Sequence, residues 1–294
     1  MRIDCESDPR LAEPVEVALE NDRRVQSWGE LQDALYDIEL TKHGRYRSNY
    51  VYRGVDNCSW GLETSLQRLG PHYADVEGSL LRNFLKYAAE GEISQNALFF
   101  KLAIAQHHGL PTRVLDWTTA PRVAIHFATA DERLYDQDGA IWCVDVAKAR
   151  DRLPAELRET LELEKAFLFS IEMLEKFETL VDFDRLHEQG EFILFFEPPS
   201  LDDRIVNQGA VLSVLPDPKR HLKAYLERPE ASELYRRIII PKELKWEIRD
   251  KLDQDNVTER MLFPGLDGTC RWLRRYYGEG PGAGGTAAAP GSRP

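Results

Sequence analysis

The largest group of reactive side chains lies between residues 106 and 119, where the sequence reads QHHGLPTRVLDWTT. Two histidines, an arginine, an aspartate, a tryptophan and three threonines stand here between two apolar helical patterns. Imidazole suits general base catalysis because its pKa lies near neutrality. A second interpretation needs no ligand: the stretch connects two elements, and Asp116 or Thr119 caps a helix that begins at Pro121.

The arginine at position 53 is a second candidate for ligand binding. It stands in the tripeptide Tyr52-Arg53-Gly54, at the end of a β-rich stretch that Gly54 is expected to terminate in a turn. From such a position a guanidinium can bind a phosphate or a carboxylate through two parallel hydrogen bonds. An ordinary surface ion pair is the alternative interpretation.

The stretch 202–208 is a third candidate. In a helical turn, Arg204 and Gln208 share one face because they are four residues apart. Gly209 is expected to end this turn. A solvated turn without a ligand is the alternative interpretation.

Composition restricts the class of protein and of partner. The chain has 294 residues, 43% of them hydrophobic, and a formal net charge of -12, which disfavours nucleic acid as an anchoring partner. Its four cysteines are widely separated. Neither they nor the adjacent His107 and His108 have the spacing of metal ligands, so no metal is predicted. The first residues lack a signal peptide, and no apolar run reaches the roughly 18–20 residues of a membrane span. A cytoplasmic protein without a membrane partner is therefore predicted.

Hydrophobic periodicity and turn residues predict an α+β fold, with strands spread through the chain and helices between them. The predicted strands cover residues 49–55, 112–115, 139–146, 192–196, 210–215 and 235–240. Helices are predicted after a capping box at Ser27 and Glu30, over 78–89 and 95–107, from Pro121, and over 244–252, 257–262 and 267–277.

A single domain is predicted over residues 27–277, after an N-terminal lead-in over 1–26. Within this domain, the acidic, lysine-bearing stretch 153–189 has helical character and is predicted to be an insertion beside the main body. Residues 278–294 are mostly Gly, Ala, Pro and Ser. This tail buries little apolar surface and is predicted to be disordered.

Taken together, the motifs resemble the FRG domain, a bacterial family named for an aromatic-or-Phe–Arg–Gly motif. The likeness extends from about Ser27 to Tyr277, and the first motif position is Tyr52 rather than Phe. The segments that carry it are 52–54, 106–118, 124–128, 208–209 and the closing segment 262–268.

The order of these motifs also resembles, more distantly, ADP-ribosyltransferases of the Arg–Ser–Glu type. In those enzymes a strand arginine holds NAD, a Ser-Thr-Ser strand shapes the nicotinamide pocket, and a glutamate orients the ribose. The resemblance implies an ADP-ribosyltransferase-like fold, with a mixed, mostly antiparallel split β-sheet core flanked by helices. It also implies that NAD is bound as a substrate.

Three positions match the catalytic roles that this resemblance implies. Arg53 corresponds to the arginine that clamps the pyrophosphate, Thr118 to the ribose-binding position, and Gln208 to the glutamate. Trp117 and a tyrosine are expected to sandwich the nicotinamide. The implied cofactor-binding residues are Tyr52, Arg53, Gly54, His107, Asp116, Trp117, Thr118, Thr119 and Arg204.

Gln208 departs from the enzyme pattern because an amide carries no negative charge. It can hydrogen-bond to a ribose hydroxyl, but it cannot stabilise the positive charge that develops on the ribose. Loss of one preorganised group of this kind costs about 10²–10³-fold in rate. Glu191 or Glu197, on the preceding strand, is an alternative source of the negative charge.

The resemblance therefore predicts an enzyme that cleaves NAD and transfers ADP-ribose to a macromolecular acceptor, either protein or nucleic acid. It implies a toxin or anti-phage setting, with an antitoxin or regulatory protein as a further partner. The missing glutamate favours an alternative, a non-catalytic module on the same fold that senses a nucleotide or a partner. A third hypothesis is a nuclease or other hydrolase that uses His107 or His108, Asp116 and Glu191.

Overall fold

The computed structural model describes residues 21–38, 41, 44–88, 93 and 95–278. The strands in this part of the chain are β1 (Asp22–Arg24), β2 (Tyr50–Val55), β3 (Leu115–Thr118), β4 (Gly139–Asp145), β5 (Leu194–Phe196), β6 (Ala210–Val214) and β7 (Tyr235–Ile240). They form one seven-stranded sheet in the order β1-β7-β4-β2-β3-β6-β5. The β1–β7 pair is parallel, and every other neighbouring pair is antiparallel. The predicted α+β class with a mixed, mostly antiparallel sheet is therefore confirmed.

Helices flank this sheet. They are α1 (Trp28–Tyr36), α2 (Tyr73–Tyr87), α3 (Leu98–His107), α4 (Pro121–Phe127), α5 (Val146–Asp151), α6 (Ala155–Leu163), α7 (Leu180–Asp184), α8 (Asp203–Asn207), α9 (Leu222–Leu226), α10 (Lys245–Gln254), α11 (Glu259–Leu262) and α12 (Leu266–Tyr276). Among the residues described, no helix is both long enough and apolar enough to cross a membrane.

Local signals located most of these elements correctly. The Ser27 side chain accepts a hydrogen bond from the backbone N–H of Glu30 at the start of α1, as the capping box predicts. Pro121 begins α4, and β7 has the predicted bounds. Each of these signals acts within a few residues of chain, which is why the sequence alone reveals it.

The predicted strand 112–115 is wrong, because β3 begins at Leu115. Two side chains hold the preceding residues outside the sheet. Thr112 Oγ1 donates to Gln106 Oε1 at 2.5 Å, and Arg113 forms a buried bidentate ion pair with Glu77 on α2. Pairing with β6 therefore starts only at Leu115.

Parts of the predicted domain boundaries fall outside the residues described. In the lead-in 1–26, residues 1–20 are not described, and β1 pairs with β7. In the tail 278–294, everything after Gly278 is likewise outside the described range. The stretch 153–189 contains α6 and α7, and its apolar side chains pack in one cluster with those of α2 and α3.

The two faces of the sheet are covered differently. One face carries a single apolar cluster, to which strands β2 to β7 all contribute alternate residues. The other face carries two separate clusters, one with α1, α4 and α10 over β2, β4 and β7, and one with α2 and α3 over β5 and β6. Strand β3 lies between these two clusters, and Asp116 and Thr118 are its residues on this face because side chains alternate along a strand.

Pairing within the sheet is sparsest between β2 and β3, and this place is called the split below. β2 pairs with β4 along its whole length, but with β3 only at Tyr52 and Thr118. Beyond that pair the two strands separate, and this opens a gap in the middle of the sheet.

Gly54 lies inside β2 and does not end it, so the predicted turn at this position is wrong. The glycine is required because α4 crosses directly over the strand. A Cβ at position 54 would lie 2.0 Å from the carbonyl oxygen of Ala124 and 2.6 Å from the backbone nitrogen of Ala128. Gly54 of β2 thus packs directly against the backbone of Ala124 and Ala128 in and after α4.

Gly54→Ala is expected to destabilise the protein by about 1–3 kcal/mol, because the added methyl group meets backbone atoms that cannot rotate away. Gly78→Ala is the matched control. Gly78 is an exposed glycine within α2 with open space at its Cβ position, so this substitution is expected to stabilise by about 0.5–1 kcal/mol. Chemical denaturation measures the free energy of unfolding of both variants. Equal stability of Gly54→Ala and wild type would show that the packing of α4 on β2 does not require a glycine at position 54.

Candidate functional site

A cleft of about 690 Å³, part of it open to solvent, lies over β3 at the split in the sheet. Its lining residues are Tyr52, Arg53, Gly54, Asp116, Trp117, Thr118, Phe127, Arg204, Gln208 and Ala210. The three predicted catalytic positions, Arg53, Thr118 and Gln208, therefore border the same cleft.

Arg53 bridges the two strands that separate here. Its Nη1 donates a hydrogen bond to the backbone carbonyl of Asp116 at 2.5 Å, and its buried Nε has no hydrogen-bond partner in the described structure. Burial lowers the pKa of this guanidinium, and the negative charge of Asp116 counteracts that only in part. Arg53 is thus a half-buried cation whose positive charge no salt bridge within the described residues neutralises, so an anion that enters the cleft gains a strong partner.

The alternation of β3 separates its cleft-facing residues from its core residues. Leu115 and Trp117 belong to the apolar cluster on the far face. Trp117 is only 3% exposed, its Nε1 donates to Ser213 Oγ at 2.8 Å, and its ring packs edge-on against Phe195. The indole borders the cleft with little exposed surface, and its expected contact with a nicotinamide ring stays a prediction.

Thr118 contacts the turn that follows α8. Its Oγ1 donates to the carbonyl of Gln208 at 2.6 Å and accepts from the backbone N–H of Ala120 at 2.9 Å. Gly209 has a positive φ of 52°, and a Cβ there would lie 3.0 Å from Thr119 Oγ1. Glycine is therefore needed at this turn both for its backbone conformation and for the close approach to β3, and Gly209 ends the turn as predicted.

Helix α11 holds the Gln208 side chain in place. Gln208 Nε2 donates to the carbonyl of Leu262 at 2.9 Å, and Asn207 Nδ2 donates to the carbonyl of Met261 at 2.8 Å. The amide of Gln208 still has its oxygen and a second N–H for other partners. The closing motif of the sequence thus acts by supporting the Gln208 side of the cleft.

Arg204 lines the cleft together with Phe127, and both pack against Phe263, which does not line it. Its guanidinium carbon lies 5.1 Å from the ring centroid of Phe263, and Phe263 packs edge-on to Phe127 at 6.2 Å. Arg204 is exposed and forms no salt bridge with any residue that the structure describes. Sequence reasoning found Arg204 but missed both phenylalanines. Phe263 belongs to the closing segment 262–268, and that position was the available signal.

A second cleft of about 470 Å³ adjoins the first. Asp116, Arg204, Gln208 and Ala210 border both clefts. The second cleft is also lined by His107, whose Nε2 lies 3.2 Å from Asp202 Oδ2. The predicted His107 is therefore beside the first cleft rather than in it.

One part of the chain that forms these clefts is similar to a known protein family. Residues 48–137 match the FRG domain. This match supports the family that the motifs predicted. No curated protein and no solved structure matches the chain.

The FRG segment, defined as residues 48–137, supplies only part of the cleft. It contributes Arg53, Asp116, Thr118 and Phe127, whereas Arg204 and Gln208 lie outside it. The complete cleft therefore depends on the later elements α8, β6 and α11 as well as on the FRG segment.

The remaining predicted site residues are buried in the core, lie outside the cleft or pair with other side chains. Tyr52 is fully buried, hydrogen-bonds to Ser48 Oγ at 2.8 Å, and has a pKa that burial raises to about 12. Thr119 is exposed next to Gly209 but does not line the cleft. Glu191 forms salt bridges with Arg220 and Arg228 and lies in neither cleft.

These positions bear on the hydrolase hypothesis. His107 and Asp116 both line the second cleft, but Glu191 does not. The described residues contain no group of three or more metal-ligating side chains, and Glu197 does not line the first cleft. The structure therefore brings together only two of the residues that the hydrolase hypothesis names.

Proposed function

We propose that this protein is an ADP-ribosyltransferase-like enzyme that binds NAD in the cleft over β3 and transfers ADP-ribose to a macromolecular acceptor. One observation carries the proposal: Arg53, Thr118 and Gln208, which are far apart in the sequence, line the same cleft together with Arg204.

The two arginines suit the pyrophosphate of NAD. Arg53 and Arg204 border one cleft and neither is neutralised by a carboxylate among the residues described. Guanidinium groups bind phosphate oxygens through paired, charge-assisted hydrogen bonds. The exposed Arg204 can approach a ligand from solvent, and the half-buried Arg53 would hold it at the split in the sheet.

The other lining residues suit the ribose and the nicotinamide. Thr118 Oγ1 donates one hydrogen bond and accepts another within the protein, which leaves it one acceptor position for a ribose hydroxyl. Gln208 offers an amide oxygen and an N–H to the same sugar. Phe127 is a second aromatic side chain that lines the cleft beside Trp117, and its ring can pack against the nicotinamide.

In the proposed reaction the bond between ribose C1′ and the nicotinamide nitrogen breaks, and nicotinamide leaves with the electron pair. A nucleophile of the acceptor forms the new bond to C1′ and gives up its proton to solvent. The toxin or anti-phage setting and a neutralising partner protein rest on the family resemblance alone.

The test is nicotinamide release from NAD by the purified chain in the presence of cell lysate, together with calorimetry of NAD and ADP-ribose binding. Arg204→Ala is expected to weaken binding by about 10-fold, because one charge-assisted contact to phosphate is lost. Arg133→Ala is the matched control, since Arg133 is highly exposed and lines neither cleft. Absence of both binding and nicotinamide release would overturn the proposal.

A non-catalytic sensor of a nucleotide is the second candidate. Thr118 and Gln208 both spend hydrogen bonds on the protein itself, and no glutamate lines either cleft. Binding of NAD or ADP-ribose without any nicotinamide release, with every lysate tested, would favour this candidate over the enzyme.

A further inference from the structure

We infer that the carboxylate of Asp116 stabilises the positive charge that develops on the ribose when NAD is cleaved, the role that the amide of Gln208 cannot fill. This inference rests on the proposed function. It assigns to a residue of β3 the negative charge that the corresponding enzymes take from a glutamate.

Among the residues that the structure describes, Asp116 is the one carboxylate that borders either cleft, and it borders both. It is exposed and stands two positions from Thr118 on the same face of β3. Two residues along a strand span about 7 Å. A ribose bound at Thr118 therefore lies within reach of the Asp116 side chain.

Neutral hydrogen-bond partners orient the carboxylate of Asp116, whose charge also interacts with that of Arg53 without a salt bridge. Gln106 Nε2 donates to Asp116 Oδ2 at 2.8 Å, and Gln106 is held in turn by Thr112 Oγ1 at 2.5 Å. These partners are neutral. Arg53 donates to the backbone carbonyl of Asp116 rather than to its carboxylate, and no cation described in the structure forms a salt bridge with that carboxylate. A fixed, unpaired anion of this kind stabilises a developing cation without having to reorganise.

A purely structural role does not account for Asp116. The sequence allowed it to cap α4, but the N-cap position of α4 is Ala120 and Asp116 lies within β3. Its side chain accepts one hydrogen bond, from the half-buried Gln106, and a single bond of this kind contributes little to folding.

The position of Asp116 also suits the transfer step. With nicotinamide and pyrophosphate in the first cleft, an acceptor can approach the ribose from the second cleft, and Asp116 lies where the two meet. Nicotinamide leaves C1′ with the electron pair of the broken bond, Asp116 faces the resulting cation, and the acceptor nucleophile supplies the electrons of the new bond and loses its proton to solvent.

Asp116→Asn tests the inference, because asparagine preserves the size of the side chain and an oxygen for Gln106. Single-turnover nicotinamide release is expected to slow by about 10²–10³-fold. The Kd of ADP-ribose, measured by calorimetry, is expected to stay the same or fall, since a negative charge near the pyrophosphate is removed. Asp116→Glu, which restores the charge, is expected to recover part of the rate.

Asp136→Asn is the matched control, because Asp136 is an exposed aspartate of the FRG segment outside both clefts. Wild-type rates in Asp116→Asn would overturn the inference while leaving the proposed function intact. Equal losses in Asp116→Asn and Asp116→Glu would also overturn it, because geometry rather than charge would then be responsible. A wild-type chain that neither binds nor cleaves NAD would instead refute the proposed function, and the inference with it.

Discussion

Replacement of Arg53 by lysine is expected to weaken the binding of NAD and of ADP-ribose by about 10–100-fold. This corresponds to the loss of one hydrogen bond to a charged group, about 1.5–3 kcal/mol. A lysine keeps the positive charge but lacks the planar fork that can bind a phosphate while also bridging β2 and β3. In the structure, Arg53 uses Nη1 for that bridge to the carbonyl of Asp116. The single nitrogen of a lysine is not expected to reach both this carbonyl and a phosphate of the ligand.

Calorimetry with both ligands measures the loss, and thermal unfolding of the same variant separates binding from folding. Arg133→Lys serves as the control, because Arg133 is an exposed arginine whose one carboxylate partner, Asp131, lies outside both clefts. Similar affinities of Arg53→Lys and wild type would show that the pyrophosphate is bound elsewhere. They would also remove the main argument for placing NAD in this cleft.

Glu259→Gln is expected to have the largest effect on stability, a loss of about 3–5 kcal/mol. Glu259 accepts hydrogen bonds from Arg249 at 2.9 Å and from Arg275 at 2.7 and 2.8 Å. The side chain of Arg249 is fully buried, and its other hydrogen-bond partner in the described structure is His126, whose pKa burial lowers to about 3. Removing the charge of Glu259 therefore leaves a buried cation facing a neutral imidazole.

Glu247→Gln is the matched control for this substitution. Glu247 pairs with Lys251 four residues later on the surface of α10, and such pairs contribute no more than about 0.5 kcal/mol. Chemical denaturation at neutral pH compares the two variants. Equal stabilities of Glu259→Gln and Glu247→Gln would contradict the expectation that the buried charges depend on Glu259.

The pH dependence of the Glu259 effect has a defined direction. Burial by itself raises the pKa of Glu259, but the hydrogen bond from Arg275 and the charge of Arg249 bring it down to about 2. A carboxyl group with a lowered pKa contributes its full stabilisation above its ordinary value of 4.5 and loses it as the pH falls toward 2. The difference between wild type and Glu259→Gln is therefore expected to shrink across this acidic window.

The Glu259 network also supports the cleft. Glu259 begins α11, whose last residues accept the hydrogen bonds from Asn207 and Gln208. The buried charges around Glu259 thus support the side of the cleft that contains Gln208. Another side of the same cleft comes from Arg53 and its neighbours. This connection explains why the closing segment belongs with the earlier motifs, although it contains no residue that a ligand in the first cleft would touch.

The sequence by itself determined the elements and the region of the site. Helix starts at Ser27 and Pro121 and the turn at Gly209 follow from capping and backbone preferences, which act over a few residues. The spacing of Asp116 and Thr118 likewise requires them to share one face of a strand. These properties depend on the local chain and hold in any fold that contains the same segments.

Only the tertiary structure decided what each side chain faces. Periodicity separates Asp116 and Thr118 from Leu115 and Trp117, but it does not say which pair borders a cleft. That choice depends on two helical clusters leaving β3 uncovered between them. The sequence predicts a turn at Gly54 because nothing near this residue in the chain reveals the close contact. The backbone atoms that a Cβ at position 54 would meet belong to Ala124 and Ala128, at least 70 residues later. Phe127 and Phe263 lie near Arg204 only because the fold brings three distant segments together. In each case the deciding contact joins distant segments, and local preferences carry no information about it.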